Sequence, residues 1–251
     1  MSYNSVAVPY PPRPDGAVLT DTPDQLVRQG KYAAVPMIVG DQEDEGTLFS
    51  LVQTNITNTD KLVTYLNSVI FTTATRAKVQ GLVDTYPYPY VVCGSPFRTG
   101  ILNDLYPGFK RLAAVLGDMA LTLSRRIFLQ SATTNNPTVP AWSYLATFQY
   151  GTPILGTFHG SDLLQVFYGL LPTYPSVAIQ SFYANFVYNR DPNHYSGGTS
   201  SASRVLQNWP QWTFAGRQLF NFQLLDGGTL TDDFRSAAAA YLDANSNVLR
   251  T

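Results

Sequence analysis

The sequence predicts an α/β fold in which a mostly parallel central sheet is flanked by helices. Strand-like runs at Val35–Gly40 and Trp142–Tyr150 are separated by segments whose apolar residues have helical spacing. Strands that alternate with helices are typical of parallel sheets. With 251 residues, 45% hydrophobic and 13% charged, the chain is large and apolar enough to bury a core. Because the strands are few, we expect only part of a sheet.

Residues suited to capping mark the predicted helices. Thr22 can cap a first helix, Pro23 fits its first turn, and Gly30 ends it. Ser161 or Asp162 can cap a later helix that runs through Tyr168. The other predicted helices are Asp60–Val69, Thr75–Tyr86, Gly108–Gln130, Val177–Asn189 and Asp232–Asn245.

Three stretches are predicted to contain strands. Val35–Gly40 is apolar on both faces, as in a central strand of a parallel sheet. Trp142–Tyr150 alternates bulky and smaller side chains, and Phe214–Leu225 has room for one or two short strands. The chain turns near Pro87 and Pro89, and Ser196–Ser203 is predicted as a Gly/Ser loop.

Composition and charge exclude several kinds of partner and site. The formal net charge is −1 and no block of basic residues occurs, so nucleic acid is not an expected partner. No uncharged apolar stretch of about 18 residues predicts a transmembrane helix, and the first residues do not resemble a signal peptide. The single cysteine, Cys93, excludes a disulfide within the chain.

The loop after Val35–Gly40 carries four acidic residues, which raises the question of a metal site. Positions 1, 3, 5 and 6 of an EF-hand loop would be Asp41, Glu43, Glu45 and Gly46. Position 12 needs a bidentate glutamate but is Val52, and a strand precedes the loop instead of a helix. Since the histidines and the cysteine also lack zinc spacing, we expect no metal and no cofactor.

The most informative feature is an acid at a strand end followed by a histidine far downstream. Glu45 stands in Asp44-Glu45-Gly46, and His159 stands in Phe158-His159-Gly160. This is the order of the second and third members of a Ser…Glu/Asp…His triad, in which the nucleophile comes first. Taken separately, Glu45 also fits a solvated acidic loop and His159 an ordinary loop histidine.

A nucleophile motif is missing from the sequence. Nucleophile elbows of the form Gly-x-Ser-x-Gly lie between a strand and a helix, and no such pentapeptide occurs here. The nearest stretch, Gly198–Ala202, comes after the histidine and has no strand before it. We therefore expect a chain that supplies the acid and the base but is inactive without a serine from elsewhere.

Four stretches carry a family resemblance. They are PYPPRPDG, KYAAVPMIVGDQEDEGTLF, GSPFRTGILNDLYPGFKRLAAVLGDMALTLSRR and ILGTFHGSDLL. They resemble the C-terminal half of type-B carboxylesterases, in the branch of secreted fungal lipases and sterol esterases typified by the Candida rugosa lipases. The resemblance implies that residues 1–251 are the C-terminal part of an α/β-hydrolase domain, that the N-terminal half with its nucleophile and glycine-rich oxyanion segment is absent, and that the protein is extracellular.

The resemblance also implies roles for individual residues. Glu45 would be the carboxylate and His159 the base, with Gly46 allowing a sharp turn after the acid. Five apolar residues match positions that line the acyl tunnel of the fungal lipases: Leu48, Phe49, Leu116, Met119 and Leu121. For Leu116 and Met119, an ordinary buried helix face is the alternative. The implied substrate is a small-molecule ester or lipid.

Other expectations concern partners and modification. A non-catalytic, cholinesterase-like binding module is the alternative function, although such proteins usually lose triad residues. An unrelated structural α/β protein is a third possibility. The sequon Asn55-Ile56-Thr57 makes Asn55 a glycan acceptor if the chain is secreted. Because Val35–Gly40 would lack a parallel neighbour without the N-terminal half, we expect self-association through an exposed sheet edge.

Overall fold

The structure is a computed structural model that describes residues 12–86, 93–168, 173–194 and 206–249. The predicted turns at Pro87 and Pro89 and the predicted loop at Ser196–Ser203 lie outside the described residues. Within these four ranges, no helix is long and apolar enough to cross a membrane.

A four-stranded sheet in the order β1-β2-β3-β4 organises the described part of the chain. Its strands are β1 (Met37–Gln42), β2 (Ala141–Ala146), β3 (Gln218–Phe222) and β4 (Gly227–Thr231). The pairs β1–β2 and β2–β3 are parallel, whereas β3 and β4 form an antiparallel hairpin. The predicted α/β class with a mostly parallel sheet is therefore confirmed.

The strand bounds differ from the prediction in ways that burial explains. β1 extends to the polar residues Asp41 and Gln42 because both are buried and paired with the end of β2. β2 stops at Ala146, since the chain turns at residues 148–151. Only β3 falls inside the predicted stretch Phe214–Leu225, and β4 follows it.

Short and medium helices connect and cover the strands. They are α1 (Pro23–Arg28), α2 (Thr47–Ser50), α3 (Thr59–Tyr65), α4 (Arg76–Asp84), α5 (Phe109–Gly117), α6 (Leu123–Asn135), α7 (Ser161–Leu163), α8 (Tyr174–Asn189) and α9 (Ser236–Ala244). Three π-helical turns extend them: Leu66–Ile70, Asp118–Thr122 and Leu164–Tyr168.

The long helix predicted over Gly108–Gln130 is interrupted. A π-helical turn joins α5 to α6, where the Leu123 amide donates to the Asp118 carbonyl five residues back. The Asp118 side chain is buried and accepts hydrogen bonds from the Tyr86 hydroxyl (2.9 Å) and Arg235 Nε (2.6 Å). A π turn adds one residue to the helical turn. The side chains of α6 therefore point in other directions around the helix axis than they would in a continuous α-helix.

Two predicted caps are wrong or incomplete. Thr22 holds the N-cap position of α1, but its side chain makes no capping hydrogen bond. The N-cap of α7 is Gly160, at φ +79, rather than Ser161 or Asp162. The last helix begins at Ser236 rather than Asp232, whose side chain is buried in ion pairs.

The sheet is packed on both faces. This packing holds in place the ends of β1 and β2, from which the loops with Glu45 and His159 begin. All six residues of β2 are buried. On one face, Phe182 packs edge-to-face against Phe220, with ring centroids 5.1 Å apart. On the other face, Leu129 of α6 joins Leu145 and Trp212 in a second apolar cluster. A third and larger cluster lies among α3, α4, α5 and α9.

Candidate active site

The loops after β1 and β2 leave the sheet at the same edge, because the two strands are parallel neighbours. Asp44 in the first loop and Phe158 in the second form a parallel β-bridge. The Asp44 amide donates to the Thr157 carbonyl at 2.9 Å. Residues more than one hundred positions apart in sequence are thereby held side by side.

This arrangement brings Glu45 and His159 into direct contact. Glu45 Oε2 lies 2.6 Å from Nδ1 of His159, and Glu45 Oε1 accepts a hydrogen bond from the Gln42 amide at 2.7 Å. The Glu45 side chain is 5% exposed, whereas the His159 side chain is 43% exposed. Among the described residues, Nε2 of His159 has no hydrogen-bond partner. One ring nitrogen is thus anchored and the other is open.

The contact sets the protonation of the imidazole. A carboxylate only accepts hydrogen bonds, so Nδ1 carries a proton and Nε2 is the basic nitrogen of the neutral ring. The hydrogen bond that His159 donates to the Glu45 carboxylate raises the pKa of His159 above its ordinary value of 6.5. Partial burial opposes this effect, while the charges of Glu45 and Asp162 add to it.

Replacing Glu45 with glutamine is expected to lower the pKa of His159 toward 6.5, because the main cause of the raised pKa is removed. A raised folded-state pKa contributes stability that is fully present below pH 6.5 and is lost as the pH rises through the folded-state pKa. Glu45→Gln should therefore destabilise the chain more at pH 6 than at pH 9. Histidine-selective NMR titration measures the pKa, with the exposed His194 as an internal reference. An unchanged His159 titration would contradict the contact.

Two glycines allow the Glu45 loop to pack directly against α5. A Cβ on Gly46 would lie only 1.9 Å from the Ala113 carbonyl oxygen, and one on Gly117 would lie 2.7 Å from the Gly46 amide nitrogen. Gly46 has φ −84, a conformation open to any residue, so the predicted sharp turn is not the reason for this glycine. It is needed because the loop approaches the α5 backbone too closely for a side chain.

The five predicted tunnel residues do not share one environment. Leu116 and Met119 are buried in the cluster among α3, α4, α5 and α9, and Phe49 packs against that cluster. Leu48 is 39% exposed and Leu121 is half-buried. The described residues therefore bring three of the five together, and the acyl tunnel stays a prediction.

Phe49 also contacts the histidine, which the sequence did not indicate. Its ring centroid lies 5.0 Å from that of the His159 imidazole, at an interplanar angle of 49°. Phe49 follows Glu45 by four residues in α2, so the segment that supplies the acid also supplies an aromatic side chain beside the imidazole.

Two further carboxylates in the acidic loop are buried, although sequence analysis gave them no role. Asp41 lies 3.2 Å from Arg125 Nε; burial raises the pKa of Asp41 to about 6 against the opposing charge of Arg125. Burial is the largest cause that raises the pKa of Asp44 to about 6, and the charge of Glu43 is the next largest. Three hydrogen bonds to the Asp44 carboxylate oppose the increase. The interpretation as a solvated acidic loop is therefore wrong.

The described contacts of Glu45 and His159 include neither His194 nor Cys93. His194 is exposed in a turn after α8, and Cys93 is an exposed free thiol. Within the described ranges, no group of three or more His, Cys, Asp or Glu side chains is arranged to hold a metal ion.

Comparison with known proteins identifies the family. Residues 2–234 match the model of the carboxylesterase family. The chain belongs to the carboxylesterase family. The chain is 53% identical over 249 residues to a secreted triacylglycerol lipase of Gibberella zeae. It is 51% identical over 245 residues to secreted lipase 1 of Botryotinia fuckeliana and 43% identical over 240 residues to lipase 5 of Diutina rugosa.

These matches cover nearly all of this chain but less than half of each relative. They cover 99%, 98% and 94% of this chain, but the chain spans only 41% of the length of each relative. The crystal structure of Aspergillus niger EstA matches 94% of the chain and 44% of that protein, with a TM-score of 0.73. At 18% identity this likeness shows the fold alone, and that fold is the predicted α/β-hydrolase. The names of the secreted relatives also confirm the predicted extracellular location.

Proposed function

We propose that this chain supplies the acid and the base of a Ser-Glu-His triad in a carboxylic ester hydrolase. The observation that carries the proposal is the 2.6 Å contact between Glu45 Oε2 and Nδ1 of His159, together with an open Nε2. A serine hydroxyl is a weak nucleophile at neutral pH and needs a neighbouring base. A buried carboxylate that holds Nδ1–H orients the base and stabilises the imidazolium.

In the proposed reaction, Nε2 of His159 takes the serine proton as the serine oxygen attacks the ester carbonyl. The imidazolium then donates that proton to the leaving alkoxide, which departs as an alcohol and leaves an acyl-serine. A water molecule, deprotonated by the same Nε2, attacks the acyl-serine; the proton returns to the serine and the carboxylic acid is released. Glu45 stays ionised throughout.

The serine and the oxyanion donors are proposed to come from sequence other than these 251 residues. Two observations support this: the sequence has no Gly-x-Ser-x-Gly, and it spans about 41% of the length of the relatives it matches. Removing one oxyanion donor typically costs about 10²–10³ in rate. A chain that lacks both the donors and the nucleophile should be inactive alone.

The proposed substrates are esters with long, apolar acyl chains. A relative 53% identical to this chain is named a triacylglycerol lipase. Phe49 lies beside the His159 ring and also packs against the cluster that contains Leu116 and Met119, so an apolar surface leads away from the histidine. Apolar walls suit an acyl chain better than a charged or polar acyl group.

The test is a chimera in which this chain replaces the stretch that it matches in the Gibberella zeae lipase. We expect the chimera to hydrolyse p-nitrophenyl palmitate in preference to the acetate ester, and the 251-residue chain alone to hydrolyse neither. The unmodified lipase is the positive control. A chimera that folds like the unmodified lipase, as judged by circular dichroism and thermal melting, but has no esterase activity would favour the non-catalytic binding module.

The free edge of β1 is the proposed contact with the missing half of the fold. Among the described strands, β1 pairs only with β2, and Met37–Gly40 are half-buried although apolar. Without its neighbour, the chain is expected to self-associate in sedimentation velocity, because an unpaired strand edge is a template for pairing. The chimera should sediment as a monomer. A monomeric, cooperatively unfolding 251-residue chain would contradict this assignment.

Asn55 is the proposed glycan acceptor. It is exposed in a turn after α2, and the secreted relatives support passage through a compartment where sequons are used. Expression through a yeast secretory pathway should give a mass increase that peptide N-glycosidase removes. The increase should be absent in Asn55→Gln, and secreted wild-type chain without added mass would contradict the proposal.

A further inference from the structure

We propose that Asp44 is a positioning residue whose buried carboxylate joins the His159 loop to the Glu45 loop and so sets the contact between those two side chains. The inference deepens the proposed function, since it concerns how the same acid–base pair is held. It is carried by the hydrogen bonds of Asp44, which reach two other segments of the chain, one at Ser95 and Phe97 and one at Thr157.

The Asp44 carboxylate is fully engaged. Oδ1 accepts hydrogen bonds from Ser95 Oγ at 2.7 Å and from the Phe97 amide at 2.9 Å. Oδ2 accepts one from the Thr157 amide at 3.0 Å. Asp44 is 1% exposed and Thr157 is fully buried, so water does not substitute for these bonds.

The bonds act immediately beside the reacting pair. Asp44 precedes Glu45 by one residue, and Thr157 precedes His159 by two. Asp44 and Thr157 are joined by two hydrogen bonds across the two loops: the Asp44 amide donates to the Thr157 carbonyl, and the Thr157 amide donates to the Asp44 side chain. A displacement of either loop would therefore change the distance between Nδ1 and Oε2.

A second residue of the His159 loop leaves room for the Asp44 carboxylate because it has no side chain. Gly156 has φ +60, and a Cβ at that position would lie 2.1 Å from Asp44 Oδ2. Thr47 Oγ1 lies between the same two loops, within hydrogen-bond distance of the carbonyls of Asp44 (2.9 Å) and Leu155 (2.8 Å), which share its single proton.

Hydrogen-bond counting explains why an aspartate is required. The ionised carboxylate offers acceptors on both oxygens and satisfies two backbone amides and a hydroxyl. An asparagine has one acceptor oxygen, so in either orientation its NH₂ group faces the amide of Thr157 or that of Phe97. One buried amide would then lose its partner, which is costly in a buried site.

The experiment is histidine-selective NMR of the 251-residue chain, comparing wild type, Asp44→Asn, Ser95→Ala and Glu43→Gln. The chain has two histidines, so His159 is read against the exposed His194. We expect Asp44→Asn to lower the pKa of His159 by about half a unit or more, roughly a threefold weaker preference for the imidazolium. The downfield Nδ1–H signal should also be lost to fast exchange. His194 should not change.

The other variants separate positioning from charge. Ser95→Ala removes one bond to Asp44 without changing any charge, and it should lower the pKa of His159 in the same direction by a smaller amount. The Glu43 carboxylate is the charge next to Asp44 in sequence, and it pairs with Arg98. Glu43→Gln removes this charge and should leave the Nδ1–H signal of His159 in place. Equal effects of Asp44→Asn and Glu43→Gln, with none from Ser95→Ala, would overturn the proposal.

Two features keep the test decisive. If Asp44→Asn does not fold, Ser95→Ala decides the outcome alone. The readout is the Glu45–His159 contact rather than ester hydrolysis. The positioning role of Asp44 can therefore fail while the proposed function stands, and the proposed function can fail while the positioning role stands.

Discussion

Replacing His159 with alanine in the chimeric lipase is expected to lower kcat by about 10⁴- to 10⁶-fold. The reason is that Nε2 is the proposed acceptor of the serine proton in the first half of the reaction and of the water proton in the second, and His159 is the histidine that contacts Glu45 among the described residues. KM should change little, because a general base contributes mainly to the transition state. Steady-state hydrolysis of p-nitrophenyl palmitate measures both constants.

Matched controls sharpen this result. His194→Ala removes the chain's other histidine, which is exposed after α8, and should leave kcat within about twofold of wild type. Glu45→Gln should lower kcat by about 10⁴-fold, since the imidazole loses the carboxylate that fixes its tautomer. His159→Ala that retained a tenth of the wild-type kcat would mean that another group is the base.

Replacing Asp232 with alanine is expected to cost about 3–5 kcal/mol of unfolding free energy. Asp232 is fully buried and pairs with Arg125 (2.9 Å) and Arg126 (2.7 Å), whose side chains are 3% and 2% exposed. Trp212 Nε1 also donates to it, at 3.2 Å. Removing the carboxylate leaves the buried Arg126 guanidinium without its ion-pair partner and Arg125 with Asp41 alone.

The pH of that measurement follows from the pKa of Asp232. Burial alone would raise this pKa, but hydrogen bonds and charges from Arg125 and Arg126 outweigh burial and lower it. The resulting stability is present above the unfolded value of 3.8 and is lost as the pH falls through the folded-state pKa, so urea unfolding should be done near pH 7.

Asp243→Ala provides the matched control. Asp243 pairs with Arg28 at 2.7 Å, but the pair lies at the surface. Its loss should cost no more than about 1 kcal/mol. Equal losses from Asp232→Ala and Asp243→Ala would show that the buried network does not stabilise the fold in the way the structure indicates.

The sequence predicted the parts of the molecule that depend on local pattern. β1 was found because an apolar run marks a buried strand, and β2 because its side chains alternate along the chain. Glu45 and His159 were singled out because their order along the chain follows a triad. Their contact was inferred from a family resemblance rather than from spacing, since a distance across two loops has no signature in local periodicity.

The features that the sequence missed depend on contacts between distant segments. Sequence analysis gave Asp44 no role, because its partners Ser95 and Thr157 lie 51 and 113 residues away. The π-helical turn at Asp118–Thr122 has no proline to mark it, and Asp118 there meets Arg235 from the other end of the chain. Gly46 was expected to serve a turn, because the approach of the α5 backbone is invisible in sequence.

The central claim is that this chain holds the acid and the base of an ester hydrolase but not its serine, and fluorophosphonate labelling read by intact mass tests it most directly. The 251-residue chain should take up no adduct, whereas the chimera should take up one per molecule and lose it in His159→Ala. An adduct on the 251-residue chain alone, blocked by His159→Ala, would show that a serine within this sequence is activated and would contradict the account.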